Sequence, residues 1–262
     1  MLKRRLLPVL FLKDGWMVRS EAFSEHQYIG DPVSHVQRMN QWNVDELLVI
    51  DISQKENSFV NNRDDYRSKP ANTLSDFINM IAVECRIPLT FGGKIRSESD
   101  VELRIQSGAD KIMVNKLLHA NHEIVTKCAR RFGSQAIVGS VDYRIVDGNR
   151  LVFTDFGLNN SRISLVDFTK RAVDHGVGEL FINCIDFDGK ATGYDLIGIE
   201  RIASTVEVPV IACGGAGHQS HFARVLSDTK ASAVAAGNLF HFKENAYPLA
   251  KNYLKKHFTD IR

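Results

Sequence analysis

Pro209-Val-Ile-Ala-Cys-Gly-Gly-Ala-Gly217 is the stretch that decides the fold: four apolar residues follow a proline and lead into a pair of glycines. This pattern predicts a short buried strand that ends in a tight turn, because glycine lacks a Cβ and tolerates positive φ. Adjacent backbone N–H groups at such a turn form a concave site that can bind an anion, typically phosphate. A turn without a ligand is the alternative interpretation.

The same layout occurs about half a chain earlier, which indicates an internal repeat. Pro88-Leu-Thr-Phe-Gly-Gly-Lys-Ile95 places a glycine pair at Gly92 and Gly93, as the first stretch does at Gly214 and Gly215. Further pairs with a similar offset are Val44–Asp51 with Val177–Cys184, Asp14-Gly15 with Asp147-Gly148, and Ile112–Asn115 with Val234–Asn238. The repeat predicts two copies of one folding unit, about 1–133 and 134–262, within a single domain.

Composition and charge argue against several classes of protein. The 262 residues are 44% hydrophobic and 24% charged, as in an ordinary globular protein with a large core. A net charge of +2 gives no reason to expect nucleic acid or a membrane surface as a partner. The sequence has no apolar run of signal-peptide or transmembrane type, and its four cysteines form no Cys-x-x-Cys pair. No cluster has metal-ligand spacing, and His218 and His241 are interpreted as loop and surface residues. We therefore expect a cytoplasmic protein with free thiols and neither a metal nor a cofactor.

Short apolar strands alternate with helical patterns along the chain. The predicted strands are Leu6–Leu12, Glu46–Ile52, Pro88–Phe91, Lys111–Asn115, Ala136–Asp142, Glu179–Asn183, Pro209–Ala212 and Ala233–Ala236. The predicted helices are Pro32–Gln41, Thr73–Glu84, a helix capped by Ser97, Glu123–Phe132, Leu165–His175, Leu196–Ser204, Gln219–Ser227 and Ala246–His257. Eight strand–helix units predict an α/β fold, the (β/α)8 or TIM barrel. An open doubly wound sheet is the alternative, but it does not readily explain a two-fold repeat.

Two connections are unusually long, and both follow strands. They are Ser53–Asn72 and Tyr143–Ser164; the second contains Asp147-Gly-Asn149 before an apolar run, which predicts a hairpin. Long loops in compact domains are usually functional or disordered. Because barrel enzymes keep their active sites at the carboxyl ends of the strands, we expect both loops at that face.

Polar residues at predicted strand ends are the candidates for chemistry. Asp142 ends the fifth strand, where it could act as a general acid or base or simply bind loop amides. Phe11 occupies the equivalent position after the first strand and cannot transfer a proton. Asp186 and Asp188, beside Gly189, either orient substrate hydroxyls near a phosphate or cap a turn.

Four charged residues stand at or just before strand starts, on the opposite face of the barrel. They are Arg5, Glu46, Lys111 and Glu179. If they point inward, two cations and two anions can form a neutral ring that tolerates burial because each charge has partners. Such a ring would plug the bottom of the barrel. Four separately solvated charges are the alternative.

These motifs resemble, over essentially the whole chain, the HisF family, the cyclase subunits of imidazole glycerol phosphate synthase. The matching segments are Lys13–Gly15, Gly30–Pro32, Asp45–Leu47, Gly108–Lys111, Arg131–Gln135, Asp188-Gly189, Gly193–Asp195, Gly214–Gly217 and Phe240–Phe242. The resemblance implies a two-fold symmetric barrel that docks a HisH-like glutaminase on its N-terminal face, which includes Asp110. It also implies that ammonia passes through the barrel to a bis-phosphorylated ribulosyl substrate. The products are then imidazole glycerol phosphate and an aminoimidazole carboxamide ribotide.

The resemblance implies roles for particular residues. The family's ammonia gate falls on Arg5, Glu46, Lys111 and Glu179, and one of its two catalytic aspartates falls on Asp142. Phosphate binding falls on Asp188, Gly189, Gly214, Gly215, Gly237 and Asn238 at one site, and on Gly92, Gly93 and Asn115 at the other.

The chain departs from the family on the cyclase side. Phe11 replaces the other catalytic aspartate and Arg19 replaces a lysine. Lys94 replaces a glycine and Lys116 a threonine near the first phosphate site. An intact gate beside an altered cyclase side is similar to the divergent HisF-like paralogues associated with acetamidino modification of surface sugars. Those pair with a HisH-like glutaminase and pass ammonia to a separate sugar amidotransferase.

We therefore expect a glutaminase partner that conducts ammonia, binds a phosphorylated small molecule and has little cyclase activity. Its ammonia would serve the amidination of a surface-polysaccharide sugar, as in lipopolysaccharide biosynthesis. The alternatives are a working cyclase in histidine biosynthesis and a non-catalytic scaffold that only activates its glutaminase.

Overall fold

The computed structural model describes residues 3–21, 24–54, 71, 73–242 and 244–262. The strands are β1 Arg5–Lys13, β2 Trp16–Glu21, β3 Glu25–Gly30, β4 Leu47–Asp51, β5 Leu89–Gly92, β6 Lys111–Val114, β7 Ile137–Val146, β8 Asn149–Thr154, β9 Asn159–Ser164, β10 Glu179–Cys184, β11 Val210–Cys213 and β12 Ala233–Ala236. The helices are α1 Pro32–Gln41, α2 Leu74–Glu84, α3 Glu98–Gln106, α4 Lys116–Ala120, α5 His122–Phe132, α6 Leu165–Asp174, α7 Leu196–Ala203, α8 Gln219–Asp228, α9 Leu239–Phe242 and α10 Ala246–His257. Most of the predicted loop Ser53–Asn72 lies outside the described residues.

Eight of the strands close into a parallel barrel, which confirms the predicted (β/α)8 fold. Their cyclic order is β1, β4, β5, β6, β7, β10, β11, β12, with β12 paired to β1. The register sets Phe11 beside Ile50 and Asp142 beside Asn183. Because the eight strands run in one direction, their carboxyl ends meet at one face and their starts at the other.

Side chains from the barrel strands form two separate apolar layers. Inside the barrel lie Leu7, Val9, Leu48, Met113, Val138, Phe181, Ile211, Ala233 and Ala235. Outside it, a larger layer packs between strands and helices and includes Leu6, Val36, Ile78, Leu180, Ile199 and Val225. Strands buried on both faces need apolar residues at every position, so their sequences run as continuous apolar stretches.

Capping residues fix where several helices begin. Thr73 and Asp76 form a reciprocal capping box at the start of α2, and Ser97 and Asp100 form another at α3. Helix α1 begins at Pro32, as its sequence predicts. The short helices α4 and α9 are not predicted from the sequence, because each has too few residues for a periodic pattern.

A three-stranded antiparallel extension follows the first strand of each half. β7 continues into β8 and β9, which confirms the predicted hairpin, and β1 continues into β2 and β3, which the sequence analysis misses. The signal for the missed hairpin is the Asp14-Gly15 pair. Both Asp14-Gly15 and Asp147-Gly148 have positive φ at each residue, as two-residue hairpin turns of this type require.

Within the described part of the chain, no helix is both long and apolar enough to cross a lipid bilayer.

Candidate functional site

Two cavities open at the carboxyl ends of the barrel strands. The larger, of about 300 Å³, is bounded by the ends of β4 to β7 and includes Asp51, Lys94, Asn115, Lys116, Asp142 and Asn183. The smaller, of about 250 Å³, lies over β11 and β12 and includes Asp188, Gly189, Gly214, Gly215, Gly237 and Asn238. Asp142, the predicted catalytic residue, therefore lies in the larger cavity. The predicted phosphate site that includes Gly214 and Gly215 lies in the smaller one.

Phe11 lies between the two cavities. It is the one residue common to the described linings of both. Its ring packs toward Gly237, where an added Cβ would lie 3.4 Å from Phe11 Cε2. An aromatic ring, which cannot transfer a proton, thus borders both cavities.

Asp142 lies in the larger cavity, held by two amide groups. Nδ2 of Asn115 donates to its Oδ2 at 3.0 Å, and Nδ2 of Asn183 donates to its Oδ1 at 3.3 Å. Burial raises the pKa of Asp142 to about 7, aided by the nearby charge of Asp188 and opposed by the two amide hydrogen bonds. A carboxyl group with this pKa exchanges protons near neutral pH and could serve as a general acid or base.

The raised pKa of Asp142 has a consequence for stability. In the folded protein the group keeps its proton up to pH of about 7, whereas the ordinary value is 3.8. The unfolding free energy should therefore fall as the pH rises from about 4 to about 7, because only the unfolded chain releases the proton. Asp142→Asn should remove this slope and raise the unfolding free energy at pH 8 by about 2 kcal/mol, allowing for screening by water in the cavity.

Urea unfolding at several pH values measures this effect. Asp228→Asn is the matched control, since Asp228 is a half-exposed residue in a surface pair with Arg224. An Asp142→Asn slope equal to that of the wild type would contradict the raised pKa.

Lys94 and Lys116 line the larger cavity. Nζ of Lys94 lies 3.4 Å from Oδ2 of Asp51, and Nζ of Lys116 lies 2.6 Å from Oδ1 of Asp155. Lys94 has a φ of 54°, a left-handed conformation that glycine adopts more readily than lysine. Beneath it, the buried Arg104 donates to the carbonyl oxygen of Gly93 at 2.9 Å, which braces the turn. Each of the two lysines is thus paired with an aspartate of the same cavity lining.

The residues assigned to the first phosphate site have other contacts here. Asn115 gives its amide group to Asp142 and to the carbonyl oxygen of Ser140. At Gly93, a Cβ would lie 2.1 Å from the carbonyl oxygen of Asp51, so close packing alone requires a glycine. Gly92 is buried in β5, packed against Met113. Of these three residues, Gly93 and Asn115 reach the larger cavity.

Glycine turns with positive φ line the smaller cavity. Gly189, Gly214 and Gly215 have φ values of 71°, 91° and 102°. A Cβ at Gly215 would lie 1.9 Å from the carbonyl oxygen of Gly193, so the turn admits only glycine. Nδ2 of Asn238 donates to the carbonyl oxygen of Ser20 at 2.7 Å, which ties the end of β12 to the hairpin after β1. The turns after β10, β11 and β12 thus meet around one cavity.

The two aspartates after β10 have different contacts. Asp186 accepts hydrogen bonds from Arg144 at 3.1 Å and from the backbone N–H of Ile145 at 2.7 Å, so it anchors the hairpin after β7. Asp188 accepts a hydrogen bond from Ser20 Oγ at 3.3 Å and lines the smaller cavity. Of the two interpretations left open by the sequence, the structural one applies to Asp186, while Asp188 lies in the lining of the smaller cavity.

The four strand-start charges meet in a closed ring inside the opposite end of the barrel. Arg5 donates to both carboxylate oxygens of Glu46, at 2.9 and 3.0 Å, and also to Glu179. Nζ of Lys111 donates to Glu46 at 3.2 Å and to Glu179 at 2.8 Å. Burial alone would raise the pKa of Glu46, but the charges of Arg5 and Lys111 outweigh burial and hold it below its usual value. The structure therefore brings all four side chains together.

Two further residues lie at this face: Asp110, which the sequence singled out, and Arg262, which it did not. Asp110 is exposed, and its carboxylate accepts the backbone N–H of Leu89 at 2.8 Å at the start of β5. Arg262 donates from Nη1 to Glu46 at 3.0 Å and so joins the ring. No sequence signal marks Arg262, because it lies in no strand-start pattern and reaches the ring only through the tertiary structure.

The surface placement predicted for His241 is wrong. His241 lies in α9, with its ring edge-on to His35 at a centroid distance of 5.6 Å. Both of its ring nitrogens are buried without a hydrogen-bond partner among the described residues. Burial lowers its pKa to about 3, so the ring stays neutral. His218, by contrast, lies in an exposed loop as predicted, where it caps α8.

Comparison with known proteins places these features in a family. The family described as "Histidine biosynthesis protein" matches residues 5–246. The chain is 36% identical over 262 residues, 100% of each chain, to imidazole glycerol phosphate synthase subunit HisF of Saccharolobus solfataricus. It is 34% identical over 263 residues, again 100% of each chain, to the HisF subunit of Hydrogenobaculum sp.. A protein of Pseudomonas aeruginosa, described as a candidate imidazole glycerol phosphate synthase subunit hisF2, is 37% identical over 243 residues, 92% of each chain.

Proposed function

Because the chain belongs to the histidine biosynthesis protein family, we propose that it is a HisF-like barrel that pairs with a HisH-like glutaminase and conducts ammonia. The ammonia then serves a separate sugar amidotransferase that amidinates a surface-polysaccharide sugar, and the barrel itself has little cyclase activity. The observation that carries the proposal is the contrast between its two ends. The charged ring is complete, whereas Phe11 separates the two cavities at the other end.

The interior of the barrel supports passage of a small neutral molecule. Directly above the ring, the inner layer is apolar and includes Leu7, Leu48 and Val138. Transfer of an ion into such surroundings is very costly, whereas an uncharged ammonia molecule has a much smaller desolvation cost. A ring of ion pairs that opens briefly can therefore admit ammonia and hold back ions and bulk water.

The carboxyl-end face supports the loss of cyclase chemistry. A bis-phosphorylated substrate must reach both phosphate sites at once, and Phe11 stands between the two cavities. Asp142 retains a titratable carboxyl group, but no second acid lies at the equivalent strand end. A working cyclase in histidine biosynthesis is the second candidate, favoured by the names of the HisF relatives. A scaffold that activates its glutaminase without conducting ammonia is the third.

A binding and activity assay tests the proposed pairing. We expect the barrel to retain a HisH-like glutaminase in a pull-down and to stimulate its glutamine hydrolysis. Lys111→Ala should lower glutamine-dependent transfer of ammonia, because it breaks the ring at two of its contacts. Lys116→Ala is the control, since that lysine is exposed at the opposite end of the barrel. If no glutaminase binds, the ammonia-conducting function is wrong; if binding occurs without any transfer of ammonia, the scaffold reading is favoured.

The smaller cavity should bind a phosphate group. We expect crystals grown with phosphate or sulfate to hold an anion against the turns of Gly189, Gly214 and Gly215, near Asn238. The reason is that turns with positive φ direct backbone N–H groups into one concavity, at the position where many barrels bind phosphate. An empty smaller cavity at high anion concentration would argue against this assignment.

A further inference from the structure

Three cations surround two carboxylates at the bottom of the barrel. Glu46 accepts hydrogen bonds from Arg5, from Lys111 and, at 3.0 Å, from Nη1 of Arg262. Glu179 accepts from Arg5 and Lys111. The four charges singled out in the sequence would make the ring neutral, so Arg262 supplies one positive charge more than the closed ring needs.

The guanidinium group of Arg262 is delivered by fixed backbone. The N–H of Arg4 donates to the carbonyl oxygen of Asp260 at 2.9 Å, and the N–H of Arg262 donates to that of Arg4 at 3.0 Å. Between them, Ile261 pairs with Arg4 in a parallel bridge and is 7% exposed, packed in the outer apolar layer. The segment 260–262 therefore lies beside Arg4, just before β1, and its backbone hydrogen bonds hold the main chain of Arg262 next to the ring.

The members of the ring are held with unequal strength. The side chains of Arg5, Glu46 and Glu179 are 5–7% exposed, whereas that of Lys111 is 22% exposed. Arg5 makes three hydrogen bonds through a planar fork, which has one productive orientation. Lys111 contacts the ring through one amine on a flexible stem and is the most exposed of the four members inside the barrel, whereas Arg262 at the rim is 47% exposed. Among those four, withdrawal of Lys111 therefore requires the least rearrangement.

We propose that Arg262 is a fifth member of the ring, a positioning residue that keeps Glu46 compensated while Lys111 withdraws and opens the barrel. When Lys111 leaves, Arg5 remains with Glu179 and Arg262 remains with Glu46, so two cations still balance two anions. Without Arg262, the same motion leaves two buried carboxylates on a single arginine, which is strongly unfavourable. The role in opening rests on the proposed passage of ammonia, but the charge balance does not.

A double-mutant cycle in the isolated barrel tests the charge balance. Lys111→Met and Arg262→Met should each shift the thermal midpoint little, since either keeps the buried Arg5 on both carboxylates together with one further cation. The double variant should lose roughly 10 °C, more than the sum of the single shifts. Arg262→Lys combined with Lys111→Met should recover part of that loss. Asp260→Asn combined with Lys111→Met is the control, because it removes the surface pair with Arg4 and leaves the ring contacts intact. Additive shifts in the cycle would overturn the proposal.

A measurement of Lys111 side-chain motion distinguishes a positioning role of Arg262 from a purely structural one. Relaxation dispersion of the Lys111 side-chain carbon next to Nζ should reveal exchange with an open state, and Arg262→Met should reduce the open population at least severalfold. Unchanged exchange in Arg262→Met would overturn the positioning role. Both experiments use the barrel alone, so they do not depend on a glutaminase. If no glutaminase binds, the proposed function is wrong, but the five-membered ring is unaffected.

Discussion

The purified barrel, supplied with ammonium salts and the bis-phosphorylated ribulosyl substrate of the HisF family, should turn that substrate over about 10²–10⁴-fold more slowly than the Saccharolobus relative. The physical reason is that Phe11 cannot transfer a proton and lies between the two cavities that such a substrate must bridge. Steady-state formation of imidazole glycerol phosphate measures the rate. Turnover equal to that of the relative would contradict the proposed loss of cyclase chemistry.

The variant Phe11→Asp should not restore full turnover. It returns a carboxyl group to the strand end, but Lys94 and Lys116 still occupy the rim of the larger cavity. Lys94 also keeps its ion pair with Asp51 at 3.4 Å, which a glycine at this position could not form. The triple variant Phe11→Asp, Lys94→Gly, Lys116→Thr should gain more activity than the single variant. Full activity in Phe11→Asp alone would mean that the two lysines leave the phosphate site intact.

Arg5→Met should lower the unfolding free energy by about 3–5 kcal/mol. The Arg5 side chain is buried and supplies three hydrogen bonds to Glu46 and Glu179, so its loss leaves two buried carboxylates with fewer partners. Urea unfolding at neutral pH measures the change. Arg4→Met is the matched control: Arg4 precedes Arg5 but pairs with Asp260 at 3.3 Å near the surface, where such a pair contributes at most about 1 kcal/mol.

The effect of Arg5→Met should depend on pH in a defined direction. The folded pKa of Glu46 lies below its ordinary value of 4.5, so the ionised group stabilises the fold above that pH. This contribution is lost as the pH falls through the folded pKa, when the carboxylate of the native state takes up a proton. The stability difference between wild type and Arg5→Met should therefore narrow below pH of about 4.5. A difference that stays constant on acidification would argue against an ion-pair origin.

The barrel's strands could be read from the chain because local patterns specify them. A strand covered on both faces must be apolar throughout, and a two-residue hairpin turn needs residues that tolerate positive φ. Both requirements act over a few residues and so leave a mark in the sequence. For the same reason the hairpin between β1 and β2 could have been predicted. Its turn, Asp14-Gly15, has the same residue pattern as Asp147-Gly148, from which the other hairpin was predicted.

Contacts between distant residues were decided only by the tertiary structure. Arg262 reaches Glu46 across 216 positions of the chain, and nothing near either residue predicts the pair. The position of Phe11 between two cavities and the raised pKa of Asp142 depend on neighbours that different strands supply. Local patterns along the chain specify the eight-unit barrel, the glycine turns and the four strand-start charges. Closure of the barrel decides which of these residues meet. Strand register and burial set the distances between charged side chains, and those distances determine the ion pairs and the pKa values.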